Sequence, residues 1–376
     1  MKNSLGNDAV ARIAQMLNSA CQQSTVKFDK KQFEQLAITG LNSLELKQRV
    51  HHIIDAMTHT LPQDFSQTSA VLVHVPDFWI DGSEDDSYSV FAAWPIIDYV
   101  AVQGLEQPEL ALETLHALTK LFSAEFAIRP FIIKYPTLCF EFFATWANDD
   151  DEHVRRLVSE GTRPKLPWGI QLKALVKDPT PSLPLLKKLS TDTSLYVRRS
   201  VANHLNDIAK DHPELVIETC LAWQKAQPAH QDLAWVIRHA TRTLVKNGHP
   251  KSFSLLGFTA NPKVTVSQLT LSSSELTFGE EISMQFEINS SACKAQSFVV
   301  DYAVHFMKAN GKQAAKVFKL KNCQLTGSAE NQTLQLTKKH SFKKISTRKY
   351  YAGEHKIEIL INGKSMASKS FMLCAS

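Results

Sequence analysis

DDDEHVRRLV at 149–158 and DTSLYVRRSV at 192–201 decide the fold of this 376-residue chain. The two Val-Arg-Arg steps stand 43 residues apart, and a weaker copy, DLAWVIRHAT, follows at 232–241. In the first copy Val154, Leu157 and Val158 make an apolar stripe. In the second, Val197, Val201, Leu205 and Ile208 do the same. A period near 40, with acidic residues ahead of an arginine-bearing helix, marks HEAT-like helical repeats. Such repeats stack into a solenoid with a long concave face. Arginines on that face predict a phosphate backbone as partner.

Outward from this centre the helical pattern continues. FDKKQFEQLA and LNSLELKQRVHHIIDAM carry apolar residues every three or four positions, with predicted helix starts at Asp29 and Asn42. His51-His52 reads as a pair on a helix surface. PDFWIDGSEDDSYSV at 76–90 is an acidic, turn-rich connection. EFAIRPFIIKYPTLCFEFFATWA is helical, broken or bent at Pro130 and Pro136. Residues 1–255 thus form a predicted helical-repeat domain.

The period changes to two after residue 264. VTVSQLTL, ISMQFEI, SFVVDYAVHFM, KVFKLKN, QTLQLTKKHSF, HKIEILING and KSFMLC alternate apolar and polar side chains. Turns such as KANGK and INGK separate them. Residues 264–376 are therefore expected to form an Ig-like antiparallel β-sandwich. The expected fold class is mainly α: a HEAT-like α-solenoid followed by that sandwich.

Charge divides the chain. Residues 251–376 hold 17 Lys and Arg against 8 Asp and Glu, whereas residues 1–250 hold 25 against 29. A basic C-terminal part suits an anionic partner. The first residues, MKNSLGNDAVARIAQ, contain no apolar run of signal-peptide or membrane-span length. The six scattered cysteines show no CxxC or zinc spacing and read as reduced thiols of a cytoplasmic protein. No metal and no cofactor is expected, and a monomer is.

The repeats also place charged residues at four-residue steps: Arg156 with Glu160, Arg199 with Asn203 and Asp207, Arg238 with Arg242, Glu125 with Arg129. Arginine's planar fork suits phosphate. Carboxylates beside a polyanion need another use, or neutralisation. Asp207 and Glu160 both fall near predicted helix C-termini, where the dipole disfavours them. Trp168, between Leu-Pro and Gly, is an aromatic in a conformationally fixed place.

FSAEFAIRPF (122–131), VRRLVSEGTRPKLPWG (154–169), LYVRRSVANHLNDIAKDHPE (195–214) and SVFAAWPIIDYV (89–100) resemble AlkC-type DNA alkylation repair proteins. The resemblance spans the whole chain, and EGTRPKLPWG is its most specific stretch. Like AlkD, that family is built of HEAT-like repeats. The resemblance implies a monofunctional DNA glycosylase acting on double-stranded DNA with alkylated bases. It would remove 3-methyladenine and 3-methylcytosine without extruding the base, unlike most base-modifying enzymes.

Carried over by motif, Glu125 and Glu160 are candidate carboxylates near the lesion. Trp168 is the aromatic wall. Asp207 stabilises an oxocarbenium-like sugar or orients water. Arg156 holds the DNA backbone or intrudes near the lesion. Arg163, Arg199 and Arg238 are candidate phosphate contacts, joined by Lys343 and Lys344 of the basic run KKHSFKK. A different class of reading keeps the repeats but not the chemistry: a scaffold that binds nucleic acid or protein. A glycosidase on free sugars fits poorly, since the acids sit among arginines.

Overall fold

The computed structural model describes residues 1–290, 292–326 and 332–375. They form two compact units. One comprises Met1–Asp211 with Gln227–Ala240; the other comprises His212–Ala226 with Thr241–Ser376. The first is helical throughout. The second combines helices Pro213–Ala226, Arg242–Lys246 and Pro250–Leu255 with two sheets.

Helix boundaries follow local chemistry. Asp29 caps Lys30–Ile38 by accepting from the Gln32 amide at 2.9 Å, as its position predicts. The next long helix starts later than Asn42: it is Leu46–Thr60. Glu45 caps it, with its side chain on the backbone of Gln48 and the Gln48 side chain back on its own amide. That reciprocal box outcompetes Asn42, which enters a short 3-10 turn instead. Pro130 and Pro136 open the helices Arg129–Lys134 and Pro136–Trp146 rather than bending one. In a helix's first turn a missing N–H costs nothing.

The repeat stripes are buried. Val154, Leu157, Val158, Val197, Val201 and Leu205 are fully covered. They join helices Glu152–Gly161, Leu195–Ile208 and Gln231–Ala240 into one stack. Each such side chain contributes about 1.5–3 kcal/mol. A ladder of ion pairs fixes the spacing of the repeats. Arg155 grips Asp192 through Nε (2.7 Å) and Nη2 (3.0 Å), and Arg198 reaches Asp232 at 3.0 Å. His116 meets Asp149 in the same way, at 2.7 Å. The acidic residues ahead of each repeat helix therefore receive the base of the preceding repeat. This explains their recurrence in the sequence.

The sheets lie in the second unit. Their strands are β1 (Val264–Leu271), β2 (Glu275–Thr277), β3 (Glu281–Ser290), β4 (Gln296–Met307), β5 (Gln313–Leu325), β6 (Gln332–Ser341), β7 (Gly353–Ile361) and β8 (Lys364–Cys374). One sheet has the order β1-β3-β6 and the other β2-β8-β7-β4-β5. All pairings are antiparallel except β2 with β8, which is parallel. Strand β2 has only three residues, too short to show alternation, and the sequence pattern missed it. Ile282, Met284, Phe286 and Ile288 of β3 point into the core at every second position. Asn362 and Gly363, both with positive φ (46° and 73°), turn β7 into β8, as the two-residue hairpin requires. All six cysteines are free thiols.

Candidate active site

The site grows from the C-terminal end of helix Glu152–Gly161, which Asp151 caps by accepting from the His153 amide at 2.8 Å. Arg156 and Glu160 lie one turn apart on one face. Gly161 lets this helix end press against Ile128, for a Cβ there would stand 2.8 Å from Ile128 Cγ2. Beyond it, Thr162 and Arg163 lead into a loop that ends near Ile170.

That loop presents Trp168 in a left-handed conformation, φ +66°, with 59% of its surface exposed. A bulky residue there is strained and needs support from its surroundings. Arg129 supplies it. Its fully buried guanidinium donates to the carbonyls of Gly161 (2.8 Å) and Ile170 (2.5 Å), the two ends of the loop. Burial lowers its pKa to about 10. Lys47 Nζ holds the Trp168 carbonyl at 2.8 Å. The four-residue spacing of Glu125 and Arg129 therefore does not become an ion pair.

Three carboxylates instead share three cations. Glu125 Oε2 accepts from Arg156 Nη1 at 2.9 Å, and Arg156 Nη2 stands 3.7 Å from Glu160 Oε1. Glu160 accepts from Arg163 Nη1 (2.5 Å) and from Ser200 Oγ (2.6 Å). Asp207 accepts from Arg163 Nε (2.8 Å) and Lys210 Nζ (2.7 Å). Glu160 and Asp207 are 4% and 2% exposed. Burial works against the charge on Arg156 and Arg163, but the acids outweigh it and hold both pKa values above the ordinary guanidinium value. Arg156 also lies over the Tyr196 ring, 4.6 Å from its centroid.

Beside this cluster opens a cleft of ≈ 350 Å³. Phe91, Trp94, Phe122 and Phe126 form one wall, Trp168 another, and Glu125, Glu160 and Arg163 line it as well. The aromatic wall is packed edge to face and tilted, with Phe91–Phe122 centroids at 5.5 Å and Trp94–Phe126 at 5.4 Å. Asp207 is not a lining residue; it reaches the cleft through Arg163. Among the described residues no hydrogen bond reaches Glu125 Oε1, whereas both oxygens of Glu160 and of Asp207 are occupied.

Residues 265–375 match the family described as the C-terminal Ig-like domain of the uncharacterised protein YhaZ. The chain is 35% identical, over 364 residues, to the uncharacterized protein YhaZ of Bacillus subtilis (strain 168). That alignment covers 96% of this chain and 97% of the relative. It also superposes on the alkylpurine DNA glycosylase AlkC of Pseudomonas fluorescens, solved bound to DNA containing an abasic site analog. The TM-score is 0.85 and the identity 35%, covering 100% of this chain and 99% of the other.

The chain belongs to the AlkC family. Its helical repeats and its Ig-like sandwich follow the AlkC fold from end to end. Within that fold Glu125, Glu160, Asp207, Arg156 and Arg163 form one connected network, with Trp168 across the cleft. Arg199 and Arg238 are exposed on helices Leu195–Ile208 and Gln231–Ala240. Lys343 and Lys344 are exposed in the second unit, where Lys344 lines a groove with Phe342, Arg348 and Tyr350.

Sequence reasoning paired Arg129 with Glu125 instead of with the loop it supports, and overlooked Lys47, Ser200, Lys210 and the wall of four aromatic rings. The rings stood inside SVFAAWPIIDYV and FSAEFAIRPF and could have been found by their density. Ser200 and Lys47 carried no local signal.

Proposed function

We propose that this protein is an alkylpurine DNA glycosylase. It hydrolyses the N-glycosidic bond of cationic alkylated bases, 3-methyladenine and 3-methylcytosine, in duplex DNA without extruding the base. One observation carries the reading: a charge-balanced cluster of buried acids and arginines, with one free carboxylate oxygen at an aromatic cleft. That cluster stands in a chain of AlkC fold.

An N3-alkylated base is already positive. When the C1′–N bond breaks, its electron pair stays on the base, which leaves neutral. Water then adds to C1′ and releases a proton. No strong general acid is required. The demand is for negative charge fixed in advance where the sugar becomes cationic, as in glycoside hydrolysis. Glu125 suits this role, since Arg156 anchors one oxygen and leaves the other to the cleft. Glu160 and Asp207, both tied to Arg163, set the field behind it. Arg156, Arg163 and Lys210 balance the three acids, so the site does not repel the phosphates around the lesion. Trp168, exposed at the lip, offers its ring to a cationic base. Arg199 and Arg238 offer guanidinium groups to the DNA backbone.

The test is chromatography of bases freed from methylated duplex DNA. Release of 3-methyladenine and 3-methylcytosine, leaving alkali-labile abasic sites, is the expected result. Salt-sensitive DNA binding with no freed base would establish the scaffold reading instead. A 2-aminopurine placed opposite or beside the lesion reports extrusion by its fluorescence; a large increase on binding would overturn that part of the reading.

A further inference from the structure

Behind Trp168 lies a second cleft, of ≈ 290 Å³. Trp94, Phe126 and Trp168 line both hollows, so these three rings form the partition between them. On the far side of the partition the chemistry differs. Asp98 Oδ2 accepts from Trp94 Nε1 at 2.8 Å. Among the described residues no other hydrogen bond and no ion pair reaches its carboxylate. Lys47, which shares the lining, commits its ammonium to the Trp168 carbonyl. Burial pushes the Asp98 carboxyl up to about 6, against the pull of Trp94 and Lys47.

Glu160 and Asp207 are each matched by a guanidinium; Asp98 is matched by none. A largely buried acid with no cation in hydrogen-bond contact is costly, and a ligand with N–H donors would relieve it. The volume, ≈ 290 Å³, lies just below the about 300–1,000 Å³ typical of small-molecule sites, as suits a single base. Flat indole and phenyl faces favour a planar guest. The mouth is apolar and open, with Val102 52% and Ile170 51% exposed.

We infer that this cleft holds the free alkylated purine after hydrolysis, its ring against Trp94 and Trp168 and its exocyclic N–H on Asp98 Oδ1. The inference rests on the glycosylase reading above, which supplies the base. It gives the leaving base a place to go on the other face of the partition, away from the acids that act on the sugar.

Calorimetric titration of the full chain with 3-methyladenine, in the absence of DNA, tests it. Saturable binding of one base per chain is expected. Asp98→Asn should weaken it about tenfold, the cost of losing one hydrogen bond to a charged group. Val102→Trp, a change at an exposed position that fills the mouth, should abolish it, and keeps the test intact if the Asp98 variant fails to fold. Glu125→Gln should leave the affinity unchanged.

No saturable binding by the unaltered chain would overturn the inference, as would equal affinity in Asp98→Asn and Val102→Trp. So would loss of affinity in Glu125→Gln alone, which would put the base in the first cleft. None of these results bears on base release from DNA, so the glycosylase reading stands or falls separately.

Discussion

Arg163 grips Asp207 with two nitrogens, Nε and Nη2, each 2.8 Å from Oδ2. The two residues are 44 apart in sequence and belong to successive repeats. The same guanidinium takes Glu160 through Nη1, so one arginine ties the end of one repeat helix to the end of the next.

Removing that arginine leaves two buried acids short of their partner. Loss of one member of a buried pair costs about 3–5 kcal/mol. Arg163→Ala should therefore lower the unfolding free energy by that order in urea denaturation, and Arg163→Lys should recover part of it. A loss below about 1 kcal/mol would mean that water already solvates the cluster.

Glu125 and Asp207 should separate by their effect on chemistry and on stability. Glu125 is at the cleft with a free oxygen, so Glu125→Gln should cut single-turnover base release by about 10²–10³ with little loss of stability. Asp207→Asn removes charge from a site with both oxygens engaged. It should lower base release and also destabilise the fold. Full base release in both variants, with DNA binding retained, would remove them from the site.

Trp168 is largely exposed and backbone-strained. Trp168→Ala leaves the strained backbone in place and removes a side chain that is mostly in water, so it should change stability by no more than about 1 kcal/mol. Base release from 3-methyladenine DNA should fall roughly tenfold, the size of one cation–π contact. Undiminished release would show that the indole does not touch the base.

His204 gives the protein a pH signature. Its ring is fully buried, with Nδ1 2.9 Å from the Ser159 carbonyl. Burial, reinforced by the charge of Arg163, lowers its pKa to about 3. The unfolded chain therefore binds a proton that the folded chain refuses, over the window from about 6.5 down to about 3. Stability must fall as pH falls through that window, approaching about 1.4 kcal/mol per pH unit. Comparing pH 7 with pH 5, the unaltered chain should lose ~2 kcal/mol more than His204→Gln. Equal losses would show that His204 is protonated in the native state.

Much of this was legible in the chain. The Val-Arg-Arg period gave the repeats, because an apolar stripe is a local property with a fixed helical spacing. Alternation gave seven of the eight strands among the described residues and missed β2, whose three residues are shorter than any pattern. The motif EGTRPKLPWG singled out Glu160, Arg163 and Trp168, and NHLNDIAK singled out Asp207. Four-residue spacing misled for Glu125 with Arg129, and for Asp207 on the Arg199 stripe. Those acids found Arg156, Arg163 and Lys210 instead.

The sequence by itself determined where helices and strands run, since periodicity and capping depend on near neighbours along the chain. Only the tertiary structure decided which carboxylate oxygen stays free and which acid goes unpaired. A charge withdrawn from water must take whatever donor the packing brings within reach. Three of those donors, Arg156 on Glu125, Ser200 on Glu160 and Arg163 on Asp207, come from residues 31 to 44 positions away, a distance over which spacing carries no information.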